Sequence, residues 1–132
     1  MILVDTNVLL DVLQADPVWF EWSSNAIIEH GESQQLAINP IIYAEVSIAY
    51  EHIEAVDSVL DVEKFRRLQL PYEAGFLAGK CFVQYRRRGG IRRSPLPDFY
   101  IGAHASLEQM PLLTRDPKRY ASYFPRLKLI TP

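Results

Sequence analysis

Four acids in this 132-residue chain stand out by the residues around them: Asp5 in "ILVDTN", Glu45 in "NPIIYAEV", Asp98 in "LPDFYI" and Asp116 in "LLTRDP". Carboxylates brought together repel, and each raises the pKa of the others unless a cation neutralises them. A set of oxygen donors without histidine or thiolate selects a hard divalent ion, Mg²⁺ or Mn²⁺. One or two such ions turn a bound water into a nucleophile and offset charge on a phosphoryl group, which is the logic of phosphodiester hydrolysis. Asp5 poses the physical problem most sharply. With Thr6 and Asn7 it interrupts two apolar runs, and an ionised carboxylate buried without partners is strongly destabilising.

The elements that must position these acids are legible in the patterning. "ILV" before Asp5 reads as a short buried strand, and "NVLLDVLQ" as a helix capped by Asn7. A helix is predicted over 17–30, with Asp16 as cap, Pro17 in the first helical position and Gly31 as stop. "LAI" (36–38) reads as a second strand, followed by a helix through "NPIIYAEVSIAYEHIE" capped by Asn39. "AVDSVLDVEKFRRL" and "YEAGFLAGKCFVQYRRR" both read as helices, the second with Ala74, Leu77, Ala78, Cys81 and Phe82 on one stripe. A loop, "GGIRRSPLP", leads to the helix "DFYIGAHASLEQ", whose Gly102, Ala103, Ala105 and Ser106 let a neighbour approach closely. A strand in "PLLT", a short helix capped by Asp116 and a last strand in "LKLI" follow. Strands alternating with helices predict one α/β domain over residues 1–132, a three-layer α/β/α sandwich with a mostly parallel central sheet.

Ligands of open α/β sheets bind beyond the carboxyl ends of the strands. Asp5 and Asp116 follow strands directly, Glu45 lies in the helix after the second strand, and Asp98 opens the helix before the third. On a helical wheel with Tyr43 at zero, Ile41, Ile48 and Ala49 cluster at roughly 140° to 240°, and Glu45 falls near 200°, within that apolar face. A solvated glutamate belongs on the opposite stripe, so Glu45 reads as a paired or metal-bound carboxylate. Asp98 and Asp116 also have a simpler reading as charges at helix N-termini, which the macrodipole favours by about 0.3 to 1 kcal/mol. His52 shares the apolar face of the Glu45 helix and reads as a hydrogen-bonded core residue, while His30 and His104 have no partner spacing for a metal or catalytic pair.

Other chemistries lack their residues. There is no GxxxxGK[ST] or GxGxxG loop, no GxSxG and no HExxH. Haloacid-dehalogenase-type phosphatases need a second aspartate two residues after the first, and Asn7 occupies that position. The lone Cys81 excludes an internal disulfide or a thiolate-rich zinc site and reads as a small buried hydrophobe. A net charge of −2 gives no global attraction to nucleic acid, so such a partner would need local positive charge or metal. No apolar run reaches the roughly 18 residues of a membrane span, and no secretion signal is present, so the expected setting is soluble and cytoplasmic.

Together the segments "VDTNVLLD", "NPIIYAEV", "LPDFYIGAHA" and "LLTRDPKRY" resemble the PIN-domain ribonucleases, most closely the VapC-type toxins of toxin–antitoxin pairs, in order and spacing along the whole chain. The resemblance implies that Asp5, Glu45, Asp98 and Asp116 form a metal-binding catalytic site, with Thr6, Asn7 and Thr114 as supporting polar neighbours. It further implies a Mg²⁺- or Mn²⁺-dependent endoribonuclease acting on RNA, a homodimer, and a cognate antitoxin as partner. Where many relatives carry a small residue after the third acid, this chain has Phe99 and Tyr100. Those rings either stack on a base or serve as ordinary helix packing.

"RRRGGIRR" places Arg86, Arg87, Arg88, Arg92 and Arg93 beside the loop leading to Asp98, where they could contact phosphates flanking the scissile one. Arg115, next to Asp116, is a further candidate for phosphate or for a surface salt bridge. Two rival readings remain at this level: a small phosphatase of related architecture, and a non-catalytic module binding protein or RNA.

Overall fold

The computed structural model describes residues 1–91 and 95–132. Its centre is a five-stranded, all-parallel sheet: β1 (Ile2–Val4), β2 (Leu36–Ile38), β3 (Phe65–Arg67), β4 (Leu112–Leu113) and β5 (Leu129–Ile130), in the order β3-β2-β1-β4-β5. Ile2, Leu3 and Val4 are all fully buried. Successive strand side chains point to opposite faces, so both faces of the sheet are covered, as a parallel sheet requires. Among the described residues, seven helices supply that cover: α1 (Thr6–Leu13), α2 (Phe20–Ser33), α3 (Pro40–Ser47), α4 (Ile53–Val59), α5 (Tyr72–Arg87), α6 (Leu96–Leu107) and α7 (Lys118–Tyr123). Among the described residues, no helix is long and apolar enough to cross a membrane.

Chain direction through the sheet sets the position of the site. From β1 the chain passes to β2 on one side, and β4 returns on the other, so the two loops leaving β1 and β4 diverge from a shared switch point. Asp5 and Thr114 are the first residues past those two strands. Their backbones are joined to the sheet, Asp5 N–H donating to the Leu113 carbonyl and Thr114 N–H to that of Ile130.

Several elements depart from the patterning. Asp5, not Asn7, caps α1: its carboxylate accepts from Thr6 N–H at 2.8 Å. Asp16 accepts from the backbone of Val18 and Trp19, so residues 17–19 form a turn and α2 starts at Phe20. Gly31 does not stop that helix, which continues to Ser33. The helix carrying Glu45 ends at Ser47, whose hydroxyl turns back to the Tyr43 carbonyl, a bond that competes with helix continuation. His52 is consequently an exposed N-cap of α4, not a core residue. The stretch expected to be helical through residue 68 contains only α4 and then the edge strand β3, which buries Phe65 and exposes Arg66 and Arg67. Asp116 does not cap α7, whose N-cap is Pro117.

α5 and α6 meet the expectations closely. Ala74, Ala78 and Cys81 are buried, with Leu77 and Phe82 packed against the core. Gly89, at φ +85, ends α5 in the left-handed region that glycine adopts without steric cost. On α6, Gly102 permits the closest approach: a Cβ there would stand 2.3 Å from the Phe124 ring.

Candidate active site

Asp5 is 4% exposed, and its burial is offset by three donors. Thr6 N–H reaches Oδ1 at 2.8 Å, while the Thr114 hydroxyl and the Asn7 amide reach Oδ2 at 2.8 and 3.3 Å. Thr6 uses its hydroxyl for Glu45, donating to Oε1 at 2.7 Å. Glu45 is half-buried, because the buried edge of α3 runs through Ile42 and Val46 and Glu45 stands on its flank. The apolar face drawn from Ile48 and Ala49 was displaced: both lie beyond the helix and are exposed. Asp98 projects from the first turn of α6 and accepts from Arg119 Nη1 at 2.7 Å.

The four acids line one cleft of about 710 Å³, with Thr6 and Asn7 on the same side. Asp98 is their electrostatic hub. Its charge raises the pKa of both Asp5 and Glu45, and its own is raised by Asp116. Burial is the larger cause in each case, and it takes Asp5 from 3.8 to about 7. α7 lines the same cleft with Lys118, Arg119 and Tyr120. Tyr120 is 2% exposed, and its hydroxyl lies near Asp5 and Asp98 but outside hydrogen-bonding geometry with any described group. Burial and those acids push its pKa well above the usual tyrosine range, so the phenol keeps its proton.

A matching family model, PIN domain, covers residues 2–124. The chain belongs to the PIN domain family. Among solved structures it is similar to VapBC2 from Rickettsia felis bound to a promoter DNA fragment, at 21% identity and TM-score 0.74, covering 99% of this chain and 98% of that one. VapBC-1 from nontypeable Haemophilus influenzae matches at 20% identity and TM-score 0.74, with 99% and 98% covered. Mycobacterium tuberculosis VapC20, described as a sarcin-ricin loop cleaving toxin, matches at 13% identity and TM-score 0.66, with 92% and 95% covered. Among curated proteins none matches.

In this PIN fold the donor chemistry suits a hard cation: four carboxylates and neutral oxygens, with an orphaned phenol facing them. Among the described residues, however, no three acids, imidazoles or thiolates converge closely enough to hold one ion as they stand. Thr6 and Thr114 restrain Glu45 and Asp5, and Arg119 engages Asp98. Thr114 also accepts from Asn7 Nδ2 at 3.2 Å and from Asp116 N–H at 3.1 Å, so it is a junction of the site as well as a residue at a strand end.

The structure also decides between readings that the sequence leaves open. Arg115 does not face the cleft: its Nε donates to both oxygens of buried Asp11 at 2.8 and 3.1 Å, and its guanidinium lies over Trp19. Phe99 is fully buried against Tyr123 and Tyr85, which removes it from base stacking, and Tyr100 packs towards Gly75 on α5. Arg86 and Arg87 are exposed at the end of α5 and do not line the cleft. Arg88 reaches the rim through Ser122 Oγ and the Tyr123 ring. Arg92 and Arg93 lie outside the described residues. His104 is a buried partner of Asn39, at 3.0 Å, in the core. Sequence reasoning missed Arg119 and Tyr120. Their only signal was position, three and four residues after Asp116 on a helix beginning at a strand end.

Proposed function

We propose that the protein is a metal-dependent endoribonuclease and the toxin of a toxin–antitoxin pair, acting in the cytoplasm as a homodimer restrained by a cognate antitoxin. The single observation that carries the chemistry is the convergence of Asp5, Glu45, Asp98 and Asp116 on one cleft at the switch point of the sheet. Membership of the PIN family supports the nuclease reading. A similar chain occurs in a toxin–antitoxin complex, which supports the antitoxin, and one similar chain is described as a sarcin-ricin loop cleaving toxin.

The four carboxylates would hold Mg²⁺ or Mn²⁺, which when bound supplies charge to acidify a water and offset negative charge on a phosphoryl group. Thr6 fixes the Glu45 carboxylate, while Thr114 and Asn7 orient that of Asp5. Tyr120 presents a proton donor that stays protonated, and Lys118 and Arg119 place positive charge on the wall where an RNA backbone would lie.

The test is cleavage of labelled single-stranded RNA by purified protein in Mg²⁺, Mn²⁺ or EDTA, alongside Glu45→Gln. The wild type should cut only with metal, and the variant should lose at least about 100-fold, roughly 2.7 kcal/mol of transition-state stabilisation. A variant that folds and retains near-wild-type turnover would sink the assignment. Hydrolysis of a phosphomonoester in place of RNA would identify a phosphatase.

A further inference from the structure

Arg119 lines the same cleft as the four acids and makes an ion pair with one of them. Among the described residues, the 2.7 Å contact to Asp98 Oδ2 is the one ion pair formed by any of the four carboxylates. It is also formed at the acid whose charge raises both Asp5 and Glu45. Neutralising Asp98 therefore relieves Asp5 and Glu45, and in this structure the guanidinium offsets that charge. A divalent ion at Asp98 and the Arg119 guanidinium at the same carboxylate would repel each other, so each weakens the other's hold on it.

Arg119 is able to yield. Its side chain is 32% exposed and that of Asp98 36%, and such a partly solvated pair is only modestly stabilising. The guanidinium also lies 5.9 Å from the centroid of the Tyr85 ring, a second contact that lies outside the carboxylates. It shares the cleft with a second cation, Lys118. Donors of this kind suit a phosphate, for which arginine offers a planar fork.

We propose that Arg119 is a displaceable counter-ion: it holds Asp98 until a divalent cation takes that carboxylate, and its freed guanidinium then binds a non-bridging oxygen of the RNA phosphodiester. The phosphate half rests on the nuclease reading above; the competition with metal does not.

The experiment uses Arg119→Gln and Arg119→Lys in the full chain, with folding checked by thermal melting. Mn²⁺ affinity is measured by calorimetry without RNA, and KM for a single-stranded RNA is measured across a salt series. Arg119→Gln should bind Mn²⁺ more tightly, by up to about five-fold, the equivalent of a partly exposed ion pair. Its KM should rise by about ten-fold and the salt dependence of log KM should fall by about one unit of slope, the loss of one phosphate contact. Arg119→Lys, which keeps the charge, should return Mn²⁺ affinity and salt slope towards wild type. Unchanged Mn²⁺ affinity or unchanged salt slope in a folded Arg119→Gln overturns the proposal, and so does failure of the lysine variant to restore them. Wild-type protein that binds Mn²⁺ but cuts no RNA would overturn the nuclease reading, while the Mn²⁺ titration would still decide the competition.

Discussion

Thr114 Oγ1 donates to Asp5 Oδ2 at 2.8 Å, joining the ends of β4 and β1 across 109 residues of sequence. The same oxygen accepts from Asn7 Nδ2 and from Asp116 N–H, so its one proton and both lone pairs are engaged. One hydroxyl thus orders two of the four acids, and it does so at a fully buried position.

Thr114→Val tests that junction at nearly constant volume. The variant leaves a buried carboxylate and a backbone N–H each short of a partner, so the expected loss is about 1–3 kcal/mol. Urea denaturation should show a lower midpoint with an unchanged slope. A stability equal to wild type would mean that water replaces the hydroxyl freely at this site.

The acids set the sign of the pH dependence. Asp5 is raised from 3.8 to about 7, and Glu45 and Asp98 are raised as well. Between about pH 4 and 7 the folded state therefore binds more protons than the unfolded chain, and stability falls as pH rises. In EDTA the protein should melt higher at pH 5.5 than at pH 7.5, and Asp5→Asn should flatten that difference. A profile that rises across this window in the wild type would contradict the burial of Asp5 as a charge.

How far the sequence discloses this arrangement depends on what each residue packs against. β1 and β2 are legible because a strand buried on both faces reads as an unbroken apolar run, and α3 begins where Asn39 and Pro40 mark it. β3 is not, because an edge strand burying only Phe65 has no periodic signal. The placement of Asp5 and Asp116 past strand ends follows from the βα alternation. The partners of the four acids do not, since Arg119 and Tyr120 come from a six-residue helix too short to show a face. A helical wheel places Glu45 too deep because it includes Ile48 and Ala49, which the end of α3 excludes.

Asp98→Asn should separate charge repulsion from fold. Its carboxylate is raised by burial above all, with Arg119 opposing, so its ionised form is net unfavourable at neutral pH. The variant should melt at or above the wild-type temperature in EDTA. It should also lose most of the stabilisation that Mg²⁺ or Mn²⁺ gives the wild type, expected at about 2.7 kcal/mol when the ion is 100-fold above its Kd. RNA cleavage should fall by at least about 100-fold. A metal-induced shift as large as that of wild type would place the ion away from Asp98.

Arg115 and Arg119 lie four residues apart, yet their variants should fail differently. Arg115 is committed to Asp11, which is 3% exposed and, among the described residues, otherwise accepts only from Ser23 Oγ at 2.8 Å. Removing the guanidinium leaves that carboxylate buried with one donor, a change that costs about 3–5 kcal/mol in a fully buried pair. Arg115 is 30% exposed, so solvent reduces the expected loss to about 1–3 kcal/mol. The ion pair also anchors the loop in which Arg115 N–H donates to Asn7 Oδ1 at 3.3 Å, just before Asp116. Arg115→Gln should therefore lower the urea midpoint clearly while leaving the salt slope of KM unchanged, whereas Arg119→Gln should do the reverse. A salt slope that falls equally in both would show that Arg115 leaves Asp11 and reaches the phosphate backbone as well.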